Sequence, residues 1–197
     1  GTSFPVGKVE FMKLFPMSFR EFLTATGKEQ YVELLEQKDY QMISSFKQIY
    51  IDALKEYYYV GGMPEAVSSY SQVHDLEDVR NIQNMILAAY EQDFSKHAPV
   101  SIVPKIRMVW NSIPSQLAKE NRKFIYGLLR KGARAKDYET ASCAYRLRLI
   151  HKVSRITTPN LPLKAYEDLK AFKLYLVDIG LLGALAGLKQ SALLDGN

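Results

Sequence analysis

Five cations lie within one stretch of this 197-residue chain: Lys136, Arg146, Arg148, Lys152 and Arg155. An arginine presents a planar fork of donors that matches a guanine edge or a phosphate, and a lysine adds a compact point charge. The five belong to a wider bias. Residues 119–155 hold 11 basic and 3 acidic residues, or +8. Residues 99–197 hold 17 and 7, or +10, whereas residues 1–98 hold 9 and 14, or −5. A positive field of this kind steers polyanions, and DNA is the expected partner. The same charges suit an acidic protein surface or the chain's own acidic half, and a basic stretch also serves as plain solvated surface. Arg146 and Arg148 are two residues apart and cannot share a helix face, which leaves one of them for an ion pair within the fold.

Residues able to do covalent or metal chemistry are sparse. Carboxylates followed by a lysine two positions on occur at Glu36 and Lys38 and at Asp168 and Lys170. A Mg²⁺-dependent nuclease needs clustered acids on an apolar strand and a lysine to polarise water. Glu36 reads as helical and Asp168 as part of a loop, so neither is expected to serve. His74, His97 and His151 have no partner at ligand spacing. Cys143 stands alone, which excludes an intramolecular disulfide and a Cys-rich zinc site, and it reads as a small packing residue. The Gly7-Lys8 pair lacks the spacing and the following Ser/Thr of a phosphate loop. The consecutive Tyr57, Tyr58 and Tyr59 fall on three faces of a helix, where packing is favoured over base stacking. The expectation is a chain with no catalytic residue and no metal site.

The elements that position these residues are mostly helical. Apolar residues make up 47% and charged residues 24%, enough to bury a core and too much for disorder. No apolar run is long enough to span a membrane, no signal peptide is visible, and one cysteine suits a reducing, cytoplasmic setting. The chain starts at Gly1 without an initiator Met and so reads as a fragment. Residues 8–15 read as a short strand or extended arm. Ser18 with Glu21 forms a capping box that opens a helix over 19–26, closed by Gly27. Further helices are expected over 30–37, 42–59 and 75–94, with Gly61-Gly62 as a stop and Pro64 in a first helical turn. Pro99 and Pro104 bracket the sign change of the charge, which places a module boundary at 98–102.

The second module, 99–197, is expected to run helix 104–118, helix 123–129, helix 137–151, strand 154–158, turn 160–163, strand 172–177 and closing helix 179–186. That order resembles a winged helix. The third of these helices would then enter a major groove, with Lys136, Arg146 and Arg148 on or beside it and Lys152 and Arg155 at the start of the wing.

Several pieces together resemble one family, ATPases with an AAA-type P-loop core (AAA_14) followed by a domain of unknown function, DUF4143. They are Leu14-Phe15-Pro16-Met17-Ser18-Phe19-Arg20-Glu21-Phe22, Gly61-Gly62-Met63-Pro64-Glu65, Asp93-Phe94-Ser95-Lys96, Leu161-Pro162-Leu163-Lys164-Ala165-Tyr166, and the stretch Phe172 to Leu182. The resemblance implies that residues 1–98 are the end of an ATPase core and its helical lid. It implies that 99–197 are the winged-helix part of DUF4143, that ATP and Mg²⁺ are bound by parts outside this chain, and that ATPase and nuclease-like parts are partners. It implies a weak sensor-like role for Lys8. The reading of the sequence is thus a mainly α chain, a helical lid-like module followed by a winged helix with a short β-hairpin, non-catalytic and DNA-binding, or alternatively a protein-docking module.

Overall fold

The arm that leads into the first helix runs extended as far as Ser18, whose side chain then caps α1 (Phe19–Ala25). Ser18 N donates to Glu21 Oε2 at 2.6 Å and Glu21 N donates to Ser18 Oγ at 3.4 Å, the reciprocal box that the spacing implies. The computed structural model describes residues 14–119, 123–134 and 149–194. The expected strand or arm over 8–15 therefore lies mostly outside the described residues, as do Lys8 and Cys143. Gly27, at φ +71°, follows α1. The helices α2 (Glu29–Gln37) and α3 (Tyr40–Ser45) come next, with Lys38 in the left-handed region and Asp39 capping Met42 N at 3.0 Å.

The helix expected over 42–59 is broken at Phe46. Its second part is α4 (Lys47–Val60). At the break Phe46 and Tyr50 both set their rings edge-on against Tyr31, with centroids 5.5 and 5.6 Å away. This aromatic trio rewards the interruption, and helical periodicity cannot foresee it. Gly61 at φ +74° ends α4, and Pro64 opens α5 (Pro64–Val73). Asp75 caps α6 (Leu76–His97), with Glu77 and Asp78 in the first turn, where the helix dipole favours anions. The first part of the chain buries Phe22, Val60, Ala66, Val67, Tyr70 and Val79 between α1, α4, α5 and α6.

The helix α7 (Val103–Leu117) carries Pro114 inside it. The helix expected over 123–129 is a single 3-10 turn, Tyr126–Leu128. Gln116 explains the difference. Its amide takes both backbone groups of Ile125, accepting from Ile125 N at 3.0 Å and donating to Ile125 O at 2.8 Å. Phe124 N donates to Phe172 O at 2.6 Å. Residues 124–125 are thereby held extended, and a helix cannot start until Tyr126. Residues 135–148 lie outside the described set, and with them most of the helix expected over 137–151. Its last residues are not helical: Ile150 and His151 open β1 (Ile150–Ile156).

The strand β1 pairs antiparallel with β2 (Glu167–Leu176), which begins five residues before the expected strand at 172. A short 3-10 turn, Leu163–Tyr166, precedes β2, and α8 (Ile179–Leu185) and α9 (Ser191–Leu194) close the described chain. The described residues are mainly helical with one small two-stranded antiparallel sheet. The larger core gathers Trp110, Ile106 and Ile113 of α7, Phe124, Ile150 and Leu176 of the hairpin region, and Leu181 of α8. It also takes Leu87 and Phe94 from α6, on the acidic side of residue 98. One helix thus serves both apolar clusters.

The hairpin and α8 are fastened to the first helices at one point. Asp178 caps α8 through Leu181 N at 2.9 Å, and its other oxygen accepts from Gly62 N at 2.6 Å. Gly62 O in turn accepts from Met17 N at 2.7 Å. Gln83, fully buried, donates to Tyr59 O and Val60 O at 2.8 and 2.9 Å. The segments approach so closely that only glycine fits. A Cβ at Gly62 would fall inside contact distance of Met17 backbone, and one at Gly180 would lie 2.5 Å from Val60 O.

Two glycine substitutions separate this packing effect from simple backbone strain. Gly62→Ala is expected to lower stability by more than about 2 kcal/mol, because backbone must move. Gly27→Ala meets nothing within 4 Å and pays only for its left-handed φ, about 1 kcal/mol. Urea denaturation followed by the fluorescence of the single tryptophan, Trp110, measures both, and equal losses would refute the close approach at Gly62.

Candidate functional site

The hairpin is the part of the basic half that the fold displays most fully. Its inner face places Ile150, Lys152 and Ser154 opposite Leu176, Leu174 and Phe172, against the core. Its outer face places His151 and Val153 opposite Tyr175 and Lys173. The ladder jumps after Ser154, so that Arg155 faces Asp168 and residues 169–171 form a bulge without ladder partners, in which Ala171 is buried. Leu169 is 66% exposed at the bulge, and Leu161 is 87% exposed at the turn.

Of the five cations singled out by sequence, the structure describes two. Lys136, Arg146 and Arg148 lie outside the described residues, and only Lys152 and Arg155 can be placed. Lys152 turns inward, with its ammonium 4.5 Å from the centroid of the Phe172 ring. Phe172 stacks on Phe124 at 5.5 Å, so this lysine covers an aromatic pair. Arg155 forms an ion pair with Asp168 at 2.6 Å across the ladder. Its partner is therefore a neighbour in the hairpin and not an acid of the first hundred residues. Lys164 in the turn, Lys170 in the bulge and Lys173 on the outer face make no ion pair among the described residues, although the Lys170 charge helps to lower the Asp168 pKa.

Asp168 lies in β2 and not in a loop before a strand. One carboxylate oxygen meets Arg155, and the other accepts from Lys170 N at 3.0 Å. Both oxygens are thus engaged within the hairpin. Among the described residues no group of three or more His, Cys, Asp or Glu is placed to hold a metal. His74 sits in a left-handed turn against the Tyr70 ring, 5.0 Å away.

Sequence reasoning passed over a second feature. The triplet at 57–59 splits its roles. Tyr57 packs on Phe19 and Phe22 and donates to Met17 O at 2.8 Å, and Tyr59 is buried under the Arg80 guanidinium at 4.2 Å. Tyr58 is left 51% exposed. It lines a groove of about 440 Å³ with Phe15, Tyr175 and the start of α8, directly above Asp178. Burial pushes the Asp178 carboxyl up, against the backbone N–H groups of Gly62, Leu181, Gly180 and Ile179 that favour its anion. With its oxygens occupied and 4% exposure, Asp178 is a structural tie and not a reactive group. The signal for this groove was the exposed Tyr58, but the partners that complete it come from residues far apart in sequence.

The Arg155 guanidinium, helped by Lys170 N–H, holds the Asp168 carboxyl below the usual carboxylate range. A depressed value means that the tie across the hairpin is present above the ordinary aspartate pKa and is lost as pH falls through the lowered one. A carbon-detected NMR titration should show Asp168 titrating below ordinary aspartates, with Arg155→Gln moving its midpoint upward. An unchanged midpoint would show that the pair does not form in solution.

Among the described residues no helix is long and apolar enough to cross a membrane. A family model described as "Domain of unknown function (DUF8612)" matches residues 51–192. No curated protein and no solved structure matches the chain. This overturns the resemblance to AAA-type ATPases with DUF4143, and the roles drawn from it for ATP, Mg²⁺, Lys8 and neighbouring ATPase or nuclease-like parts lose their support. The pieces that carried the resemblance have local causes. Ser-Phe-Arg-Glu-Phe is a capping box with two apolar anchors, and Gly-Gly-Met-Pro-Glu is a helix stop followed by a helix start. Chemistry of that kind recurs wherever the same turn is needed. The match covers well over half of the chain, from the middle of α4 to α9, and on that ground the protein belongs to the DUF8612 family.

Proposed function

We propose that this chain is a nucleic-acid-binding module without reactive chemistry of its own, with DNA as its ligand and the basic second half as the contact surface. The observation that carries the reading is the set of cations that the fold leaves unpaired. Lys164, Lys170 and Lys173 on the hairpin, and Lys123, Arg130 and Lys131 before it, make no ion pair among the described residues. Phosphates would supply the missing counter-charge. The order of α7, the extended Phe124 bonded to β2, and the hairpin supports a winged-helix arrangement, in which the hairpin is the wing. The single cysteine supports a reducing, cytoplasmic setting.

A second reading is a docking module for an acidic protein. The exposed Leu161 and Leu169 on the same hairpin favour it, since apolar side chains add area at protein interfaces.

Fluorescence anisotropy with a labelled duplex separates the two. Log affinity for DNA should fall linearly with log salt, by about 0.9 per phosphate contacted. Replacing Lys164, Lys170 and Lys173 together by Glu should weaken binding more than about tenfold and flatten the slope. Affinity that ignores both salt and these substitutions would refute the DNA reading. Binding to an acidic polypeptide without binding to DNA would establish the second.

A further inference from the structure

Three aromatic rings from distant parts of the chain stand exposed around one groove. Phe15 comes from the arm, Tyr58 from α4 and Tyr175 from the end of β2, and they are 59%, 51% and 38% exposed. Rings of this size are normally drawn into a core, and this protein has two cores to accept them. Tyr58 and Tyr175 make no hydrogen bond through their hydroxyls to any described residue. The groove between them, about 440 Å³, lies within the range of about 300–1,000 Å³ that holds small ligands. Its floor is closed, because the Asp178 carboxylate is turned into backbone N–H groups.

We propose that this groove binds unpaired bases of a single-stranded nucleic acid, a proposal that rests on the nucleic-acid reading above and gives it a site. Every base has a π face, so flat exposed rings accept any of them without reading sequence. In a duplex those faces are stacked on one another and cannot enter. The backbone has a route to the groove along the outer face of the hairpin. Lys173 lies two residues before Tyr175 on that face, and His151 lies directly opposite Tyr175 in the ladder. The nearby Glu21 is engaged in the capping box of α1 and does not face the groove as a free charge. A cation such as Lys173 beside an aromatic platform is the combination that single-strand binders use.

The test compares a labelled thymidine homopolymer and a uridine homopolymer with a blunt duplex of the same length, by anisotropy at low salt. At least one single strand should bind about tenfold more tightly than the duplex. Tyr58→Ala and Tyr175→Ala should each weaken that single strand about tenfold, while Tyr58→Phe and Tyr175→Phe, which keep the ring, should retain most of the affinity. Both side chains are exposed, and an unchanged Trp110 emission and urea midpoint would confirm that the variants fold. Equal affinity for strand and duplex, with no effect of the alanine variants but loss on Lys164, Lys170 and Lys173 reversal, would overturn the groove and leave the nucleic-acid reading standing. Failure to bind either strand or duplex would overturn both.

Discussion

Among the described residues one buried carboxylate sets how α8 meets the turn after α4. Asp178 caps α8 with one oxygen and holds the Gly61-Gly62 turn with the other. A buried anion is costly unless its lone pairs are filled, and here backbone N–H groups fill them. The dependence runs both ways. Without the carboxylate, Gly62 N–H and the first N–H groups of α8 would be buried with no acceptor, at about 1–3 kcal/mol each. The glycines on either side let the backbones come close enough for this to work. Because β2 leads directly into Asp178, the same tie fixes where the hairpin stands against α4, and hence that Tyr175 faces Tyr58 at all.

One helix takes part in both apolar clusters of the described residues. The helix α6 begins in the first apolar cluster at Val79 and continues into the second at Leu87 and Phe94. Arg80 shows how one side chain links α4, α6 and the segment after α8. Its guanidinium lies over Tyr59, donates to Gln83 Oε1 at 2.8 Å and reaches Leu188 O at 3.1 Å. The buried side of α6 serves both clusters, with the fully buried Gln83 between them.

Most helix ends were legible because a cap acts on its own neighbours. Ser18 with Glu21, Gly61 before Pro64, and Asp75 each announce a boundary through contacts within three residues. The misreadings have a different origin. Phe46 interrupts a helix to share Tyr31 with Tyr50, and Gln116 holds Ile125 extended from nine residues away. Glu167 and Asp168 join β2 because Ile156 and Arg155 lie opposite them. Each of these is decided by a partner elsewhere in the chain, which periodicity does not encode. The groove was hidden for the same reason. Nothing near Tyr58 in sequence reveals that Tyr175 and Phe15 complete it. The family resemblance failed through the converse: local signals are so well determined by turn chemistry that they occur in unrelated chains.

The cations of the hairpin divide into those that the fold uses and those that it does not. Lys152 covers the Phe172 ring, and Arg155 fastens Asp168 across the ladder, so both have a structural occupation. Lys164 and Lys173 make no ion pair among the described residues, and Lys170 lies near Asp168 without pairing with it, on a two-stranded element that is marginal by itself. Unpaired like charges weaken a compact state. Nothing in the packing requires a lysine at any of these three positions, and a neutral polar side chain would keep the hairpin dissolved at lower electrostatic cost. On the reading proposed above, a partner carrying negative charge would supply what these lysines lack. Tyr175, exposed at the end of the outer face, would offer the proposed phosphate backbone and its bases a flat apolar surface as well.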